Sequence, residues 1–485
     1  MNSLLYGRRD LFVSDDGTPP RWRVMSQPGM RPRTKAGVQL VPETPRSYTG
    51  HAPRAWQSEA LAAWTSHERR GVVEAVTGTG KTTVGVLAAA SAVDAGEKVL
   101  VLVPGRELLD QWYEVLQRNL PSIRIGRLGD GNEDALARHE VVVATVQSAS
   151  RWQVLQPDTP GLLIADEVHR YGAETFARAL EPEFVARLGL TATYARDDEG
   201  LARHLDPYFG GVVYTCGYER GLADGVLARF RVGLLGVDFD SQERELYGEY
   251  NATARTLRGR LIATHGCPPE PFGSFMAAVV MLSEGGLGAF RPTKDARAYL
   301  NAFSKRRQLL AECRRKHEAL AELAPVLAAA DRGLVFSETK DNADAAALLL
   351  SQRGVAAMSF TSSLRPSERR ERMDQFKQGE VRVLAAPRVL DEGIDVPQAD
   401  VGVILAASRS KRQMIQRMGR VIRPKVDGRP ATFIVMYVRG TAEDPAMGAH
   451  EAFLSQLVEV AEETTHFPRR ATGADLLAWH LQGRA

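Results

Sequence analysis

The segment Ala75-Val76-Thr77-Gly78-Thr79-Gly80-Lys81-Thr82 does more than any other to restrict the folds open to this chain. It lies between an apolar strand-like run, residues 71–76, and an apolar helical stretch reaching Ala90, so that strand, Gly-rich turn and helix follow in succession. Glycines let backbone N–H groups curl around an anion, and the helix N-terminus adds positive potential. The segment fits the phosphate-loop pattern with Ala75 in place of the first Gly. Lys81 is then expected to reach the β- and γ-phosphates of a nucleotide and Thr82 to hold Mg²⁺ through its hydroxyl. Thr77, Gly78, Thr79, Gly80 and Thr83 complete the candidate cradle.

Short apolar runs recur at 99–103, 141–144, 162–165 and 188–190, separated by helical or loop stretches, and again at 333–336, 356–360, 381–385, 401–405 and 432–438. Such alternation predicts parallel sheets covered on both faces, in two α/β units of comparable size. At 485 residues the chain is too long for a single core. The expected division is a basic N-terminal arm over 1–50, a first α/β domain over 51–225, linker strands with a basic helical insertion over 226–327, a second α/β domain over 328–445 and a helical tail over 446–485. With 44% hydrophobic and 25% charged residues, a disordered or collagen-like chain is excluded.

A second element supports the phosphate loop. Leu162-Leu163-Ile164-Ala165 ends in Asp166-Glu167-Val168-His169. Carboxylates at the C-terminal edge of a parallel sheet face the nucleotide crevice. Asp166 is expected to hold Mg²⁺ through water, and Glu167 to orient the attacking water and take its proton.

With Asp-Glu-Val-His in place, the sequence resembles the superfamily 2 helicases and translocases over most of residues 52–442. The resemblance implies two tandem RecA-like domains that use ATP and Mg²⁺. It makes Arg54 and Gln57 the adenine-reading pair. Arg106, Thr145 and Gln147 become nucleic-acid contacts, with Ser337 in the second domain. His169, Thr191 and Thr193 become the residues that couple the two sites. In the second unit, Arg369 or Arg370 followed by Phe376 resembles the family's Arg…Phe helix, and Leu390-Asp391-Glu392-Gly393-Ile394-Asp395-Val396-Pro397 resembles a motif touching ATP and nucleic acid, through Gly393 and Asp395. Gln416-Arg417-Met418-Gly419-Arg420-Val421-Ile422-Arg423 resembles the arginine-finger motif, with Gln416 near the γ-phosphate and Arg420 and Arg423 meeting its developing charge.

The pattern is most similar to the XPB-like branch and its relatives among phage repair helicases and restriction-enzyme motors, and Arg196-Asp197-Asp198 resembles that branch's Arg-Glu-Asp loop. One departure is Pro387, which stands where related motors carry a Thr or Ser phosphate contact. The iron–sulfur cysteines of a neighbouring branch are absent from this sequence, so no such cluster is expected.

Charge is unevenly spread. Residues 1–50 carry eight Lys/Arg and four Asp/Glu, net +4, and residues 244–317 carry thirteen and six, net +7; removing both from the total of +3 leaves −8 elsewhere. Basic segments on an acidic remainder suit phosphate backbones. The expected function is an ATP-dependent DNA helicase or double-strand translocase in repair, recombination or genome defence, acting on duplex or forked DNA with a possible partner nuclease or repair protein. An RNA helicase and a nucleotide-gated DNA clamp serving a separate nuclease are the alternatives. Cys216, Cys267 and Cys313 lie 51 and 46 residues apart, without zinc-site spacing. A sparse odd set, with no apolar run of membrane length, predicts a cytoplasmic protein without membrane partners.

Overall fold

The computed structural model describes residues 44–485 except 197, 271, 286–292, 388–398, 406–420, 422–424, 426, 448–459 and 483–485. Two sheets organise them. The first contains β1 (Arg70–Ala75), β2 (Lys98–Val103), β3 (Ile125–Gly129), β4 (Asn132–Glu133), β5 (Val141–Thr145), β6 (Gly161–Asp166), β7 (Ala186–Thr191) and β8 (Val212–Cys216), in the order β4-β3-β5-β2-β6-β7-β1-β8. All pairings are parallel except the short β3–β4 hairpin. Every residue of β5, β6 and β7 is buried, as in strands covered on both faces. One face carries Trp56, Ala60 and Trp64 of α1 (Ala55–Ser66), the apolar side of α2 (Lys81–Asp94), and Leu109, Trp112 and Leu116 of α3 (Arg106–Asn119). The other face packs on Tyr171, Phe184 and Phe209. Apolar burial of this extent, at about 25 cal/mol per Å², is the main favourable term for each domain.

The second sheet runs β11-β12-β10-β13-β14-β9-β15. It is built from β9 (Phe230–Val237), β10 (Gly333–Ser337), β11 (Ala357–Ser359), β12 (Val383–Pro387), β13 (Val401–Ile404), β14 (Ala431–Val438) and β15 (Glu463–His466), all paired in parallel. Two strands differ from the sequence-based division. β9, expected in the linker, pairs with β14 along its whole length, because all eight of its residues are buried and need sheet on both sides. β15, expected as part of a helical tail, covers the outer edge of β9. Arg231 of β9 fastens it there: its Nε donates to Glu463 Oε2 at 2.8 Å, and its guanidinium lies 4.6 Å from the Trp479 ring. Trp479, in the terminal helix Gly473–Gln482, donates to Glu463 Oε1 at 2.8 Å.

Between β9 and β10 run three longer helices, Ser241–His265, Phe272–Glu284 and Lys294–Ala311, with a core of their own around Leu257, Leu261, Phe275, Val279 and Tyr299. Asp240 caps the first through the backbone N–H of Glu243 at 2.8 Å, and Gly266 ends it in a left-handed conformation. Two shorter helices, Arg314–Glu322 and Ala324–Ala329, pack instead against the second sheet through Leu320, Val326 and Leu327. The three cysteines are free and buried. Among the described residues no helix is long and apolar enough to cross a membrane.

Candidate nucleotide site and nucleic-acid edge

The turn after β1 takes its shape from glycine. Gly78 and Gly80 hold φ of 94° and 93°, in the left-handed region that favours glycine. A Cβ on Gly80 would lie 3.0 Å from Gln57 Nε2 and 3.1 Å from Arg54 Nη1. Those two side chains stitch the start of α1 to the turn. Gln57 Nε2 donates to Gly80 O at 3.0 Å, its Oε1 accepts from Arg54 N at 2.8 Å, and Arg54 Nη1 donates to Thr79 O at 3.2 Å. Gln57 is therefore buried with both ends of its amide engaged by the protein. In this structure it positions the turn. Thr79 is likewise buried, its hydroxyl donating to Val76 O at 2.8 Å. Lys81 Nζ donates to Ala75 O at 2.8 Å, beside the partly exposed Thr77, Thr82 and Thr83.

Asp166 ends β6 at the same sheet edge. Its carboxylate is buried and held at both oxygens: Trp112 Nε1 donates to Oδ2 at 2.7 Å, and Glu167 N donates to Oδ1 at 3.0 Å. Glu167 has φ of 51°, rare for a side chain other than Asn or Asp, and a strain found mostly at functional positions. Its Oε2 stands 3.5 Å from His169 Nδ1, which is 2.9 Å from Thr191 Oγ1. That hydroxyl donates to Thr193 O at 3.0 Å and accepts from Thr193 N at 3.2 Å. Glu167, His169, Thr191 and Thr193 thus form one connected path from the end of β6 to the loop after β7. The buried Thr193 hydroxyl has no hydrogen-bond partner among the described residues. The oxygen donors of Thr82 and Asp166, with a turn opened by Gly78 and Gly80, suit a phosphate with a hard divalent cation.

The other candidate residues of the first domain share this edge. Arg106, at the start of α3 after β2, is exposed and pairs with Asp130 at 2.7 Å. Thr145 ends β5, the neighbour of β2, and its hydroxyl donates to Ser148 Oγ at 3.0 Å. Gln147, in the short helix α4 (Val146–Ala149), donates from Nε2 to Pro104 O at 3.3 Å. Ser337 ends β10, fully buried, with its hydroxyl on Thr339 O at 2.9 Å, and lies in register with Pro387 of β12. Phe376 is a core residue, and the Arg369 guanidinium lies 5.3 Å from the Phe360 ring. Gly393, Asp395, Gln416, Arg420 and Arg423 lie outside the described residues.

Comparison with known proteins fits this arrangement. The family described as "Type III restriction enzyme, res subunit" matches residues 50–196, and "Helicase conserved C-terminal domain" matches residues 315–425. The "DNA 3'-5' translocase XPB2" of Sulfurisphaera tokodaii is 30% identical over 393 residues, covering 80% of this chain and 82% of its own. This chain belongs to the XPB-like branch of the superfamily 2 helicases. The "DNA 3'-5' helicase XPB" of Mycobacterium tuberculosis is 26% identical over 80% of this chain but only 61% of its own length. In fold, the helicase is similar to S. cerevisiae Dbp5 bound to RNA and ADP BeF3, with a TM-score of 0.56 at 16% identity, covering 89% of this chain and 94% of that one. The helicase is an ATP-dependent motor enzyme with two RecA-like domains.

One part of the helicase's site was not legible in its motifs. Trp112 holds Asp166 from α3, and its ring fills the space left by Gly85 of α2, where a Cβ would come within 2.6 Å. The only signal was an aromatic inside an otherwise amphipathic helix. Trp112→Phe is expected to keep most of the packing and lose the donor. Residues that orient a metal ligand typically contribute 10–100-fold in metal affinity, so with Asp166 as the candidate Mg²⁺ ligand the Mg²⁺ concentration that supports nucleotide binding should rise about tenfold. A Mg²⁺ titration of fluorescent-nucleotide binding checks this, and an unchanged midpoint would show that Asp166 is oriented without Trp112. Arg196, which the sequence places in a segment resembling the branch's Arg-Glu-Asp loop, forks onto Asp198 and also donates to His169 O. Its guanidinium holds the Asp198 carboxyl below the usual range.

The insertion's positive charge is partly structural. Lys316 is buried on Glu443 at 2.6 Å, and Arg260 pairs with Asp295. Arg255, Lys294, Arg297 and Lys305 are exposed and pair with no carboxylate among the described residues.

Proposed function

We propose that this chain is an ATP-driven motor on double-stranded DNA, moving 3′→5′ and able to open forked substrates. The observation that carries the reading is the meeting of the Gly80-Lys81-Thr82 turn with Asp166-Glu167 at one edge of the first sheet, in a chain with a second RecA-like domain. DNA as the track, and its polarity, are supported by the names of the XPB relatives. Lys81 would bind the phosphates. Thr82 and Asp166 would hold Mg²⁺, which when bound neutralises phosphate charge. Glu167 would orient water and take its proton, with His169, Thr191 and Thr193 passing the state of that site to the second domain. Arg420 and Arg423 would approach from the second domain with Gln416, Gly393 and Asp395. Closure then gains free energy only while the nucleotide bridges both domains, which is what an alternating motor needs.

Arg106, Thr145, Gln147 and Ser337 would line the track, and the unpaired cations of the insertion would grip the duplex backbone. A role in repair or defence beside a nuclease follows the branch, and the three free buried cysteines favour a cytoplasmic setting.

The test is the ATPase rate with duplex DNA, single-stranded DNA and RNA at fixed salt. Duplex or forked DNA should stimulate hydrolysis most. Stimulation by RNA alone would remove DNA as the substrate.

A further inference from the structure

Among the described residues, Trp152 is the most exposed of the large hydrophobic side chains, at 70%. It is also rigidly mounted. Ser150 N donates to Val146 O at 2.9 Å, Arg151 N to Ser148 O at 3.2 Å and Trp152 N to Ala149 O at 3.3 Å, continuing the turn of α4. Just beyond, Val154 N and Leu155 N donate to the two oxygens of the buried Glu181 carboxylate at 2.6 and 3.0 Å. The loop is therefore fastened on both sides of a ring that it leaves in solvent. An apolar ring of this size is normally covered, and a rigid mount spares a ligand the entropy of ordering it.

Its place narrows the ligand. The loop continues directly from Thr145 and Gln147, and Arg106 stands on the neighbouring strand's loop. Its sequence neighbours Arg151 and Gln153 are exposed and polar, so the ring does not belong to an exposed apolar run of the chain. A flat apolar ring held in solvent on a loop that continues from candidate nucleic-acid contacts matches the face of a nucleobase. Paired bases hide their faces within a duplex, so the ligand must be unpaired.

We infer that Trp152 is a stacking platform for an unpaired base, with Arg151 on the adjoining phosphate, so that the first domain engages single-stranded DNA at a fork or end. This rests on the nucleic-acid reading above and adds base stacking to a track otherwise built from phosphate contacts.

The test compares the full chain with its Trp152→Ala and Trp152→Phe variants, in a non-hydrolysable ATP analogue. The ligands are single-stranded DNA carrying 2-aminopurine and an unlabelled blunt duplex. Trp152→Ala should weaken single-strand binding about tenfold and relieve 2-aminopurine quenching, while Trp152→Phe restores most of both. Blunt-duplex affinity should move less than about twofold, because no unpaired base is offered. Equal weakening toward both DNAs, or unchanged single-strand affinity and quenching, overturns the platform and leaves the DNA motor standing. If the unsubstituted chain binds neither DNA, both readings fall.

Discussion

Glu167→Gln is expected to bind ATP with little change and to hydrolyse it 10²–10⁴-fold more slowly, the usual contribution of a positioned general base. The exchange keeps the length and shape of the side chain. The backbone features that place it are also kept, since the left-handed φ of 51° and the N–H donated to Asp166 Oδ1 do not depend on the carboxylate. What is lost is the ability to take a proton and the charged oxygen 3.5 Å from His169 Nδ1. Binding should survive because the phosphate cradle lies on a different strand, after β1. Nucleotide affinity from a fluorescent analogue and turnover from phosphate release separate the two effects. Turnover within tenfold of the unsubstituted chain would mean that another group activates the water.

Lys81→Ala should have the opposite signature, failing at binding. In this structure Lys81 makes one hydrogen bond, to Ala75 O, and is partly exposed, so its loss should cost about 1 kcal/mol of stability. Toward a triphosphate it is the one cation of the turn. Truncating one partner of a desolvated charge pair costs about 2–5 kcal/mol, so nucleotide affinity should fall on the order of a hundredfold. Titration calorimetry with thermal unfolding checks both parts. Near-normal affinity in a folded variant would place the phosphates elsewhere.

The phosphate turn and the Asp166-Glu167 strand end were readable because each is a contiguous segment whose chemistry and backbone geometry are local. Most strands were readable for the same reason: continuous apolar runs such as Val99 to Val103 admit little else. Pairing partners are not local. The run Phe230 to Val237 has no alternation, the pattern of an interior strand, yet only the folded chain puts it beside β14, some two hundred positions later in the same sheet. β15 was harder, because Glu463, Thr464 and Thr465 form a short polar edge strand held by Arg231 and Trp479. Trp112 was hidden for a related reason, since its partner is 54 positions away in sequence.

Gln57 illustrates a different limit. Its place in a segment resembling the family's adenine-reading motif suggested base recognition, and the fold brings both Gln57 and Arg54 to the phosphate turn. There the amide serves Gly80 O and Arg54 N. A side chain rich in donors and acceptors can satisfy either the ligand or the protein, and composition alone does not separate the two.

Hydrolysis that moves the protein along DNA sets a motor apart from a clamp that only opens and closes. Displacement of the third strand from a DNA triplex by the full chain with ATP tests this most directly. A motor releases the third strand in an ATP-dependent way, and Lys81→Ala and Glu167→Gln leave it bound. DNA-stimulated ATP hydrolysis with the third strand retained would contradict translocation and identify a nucleotide-gated clamp.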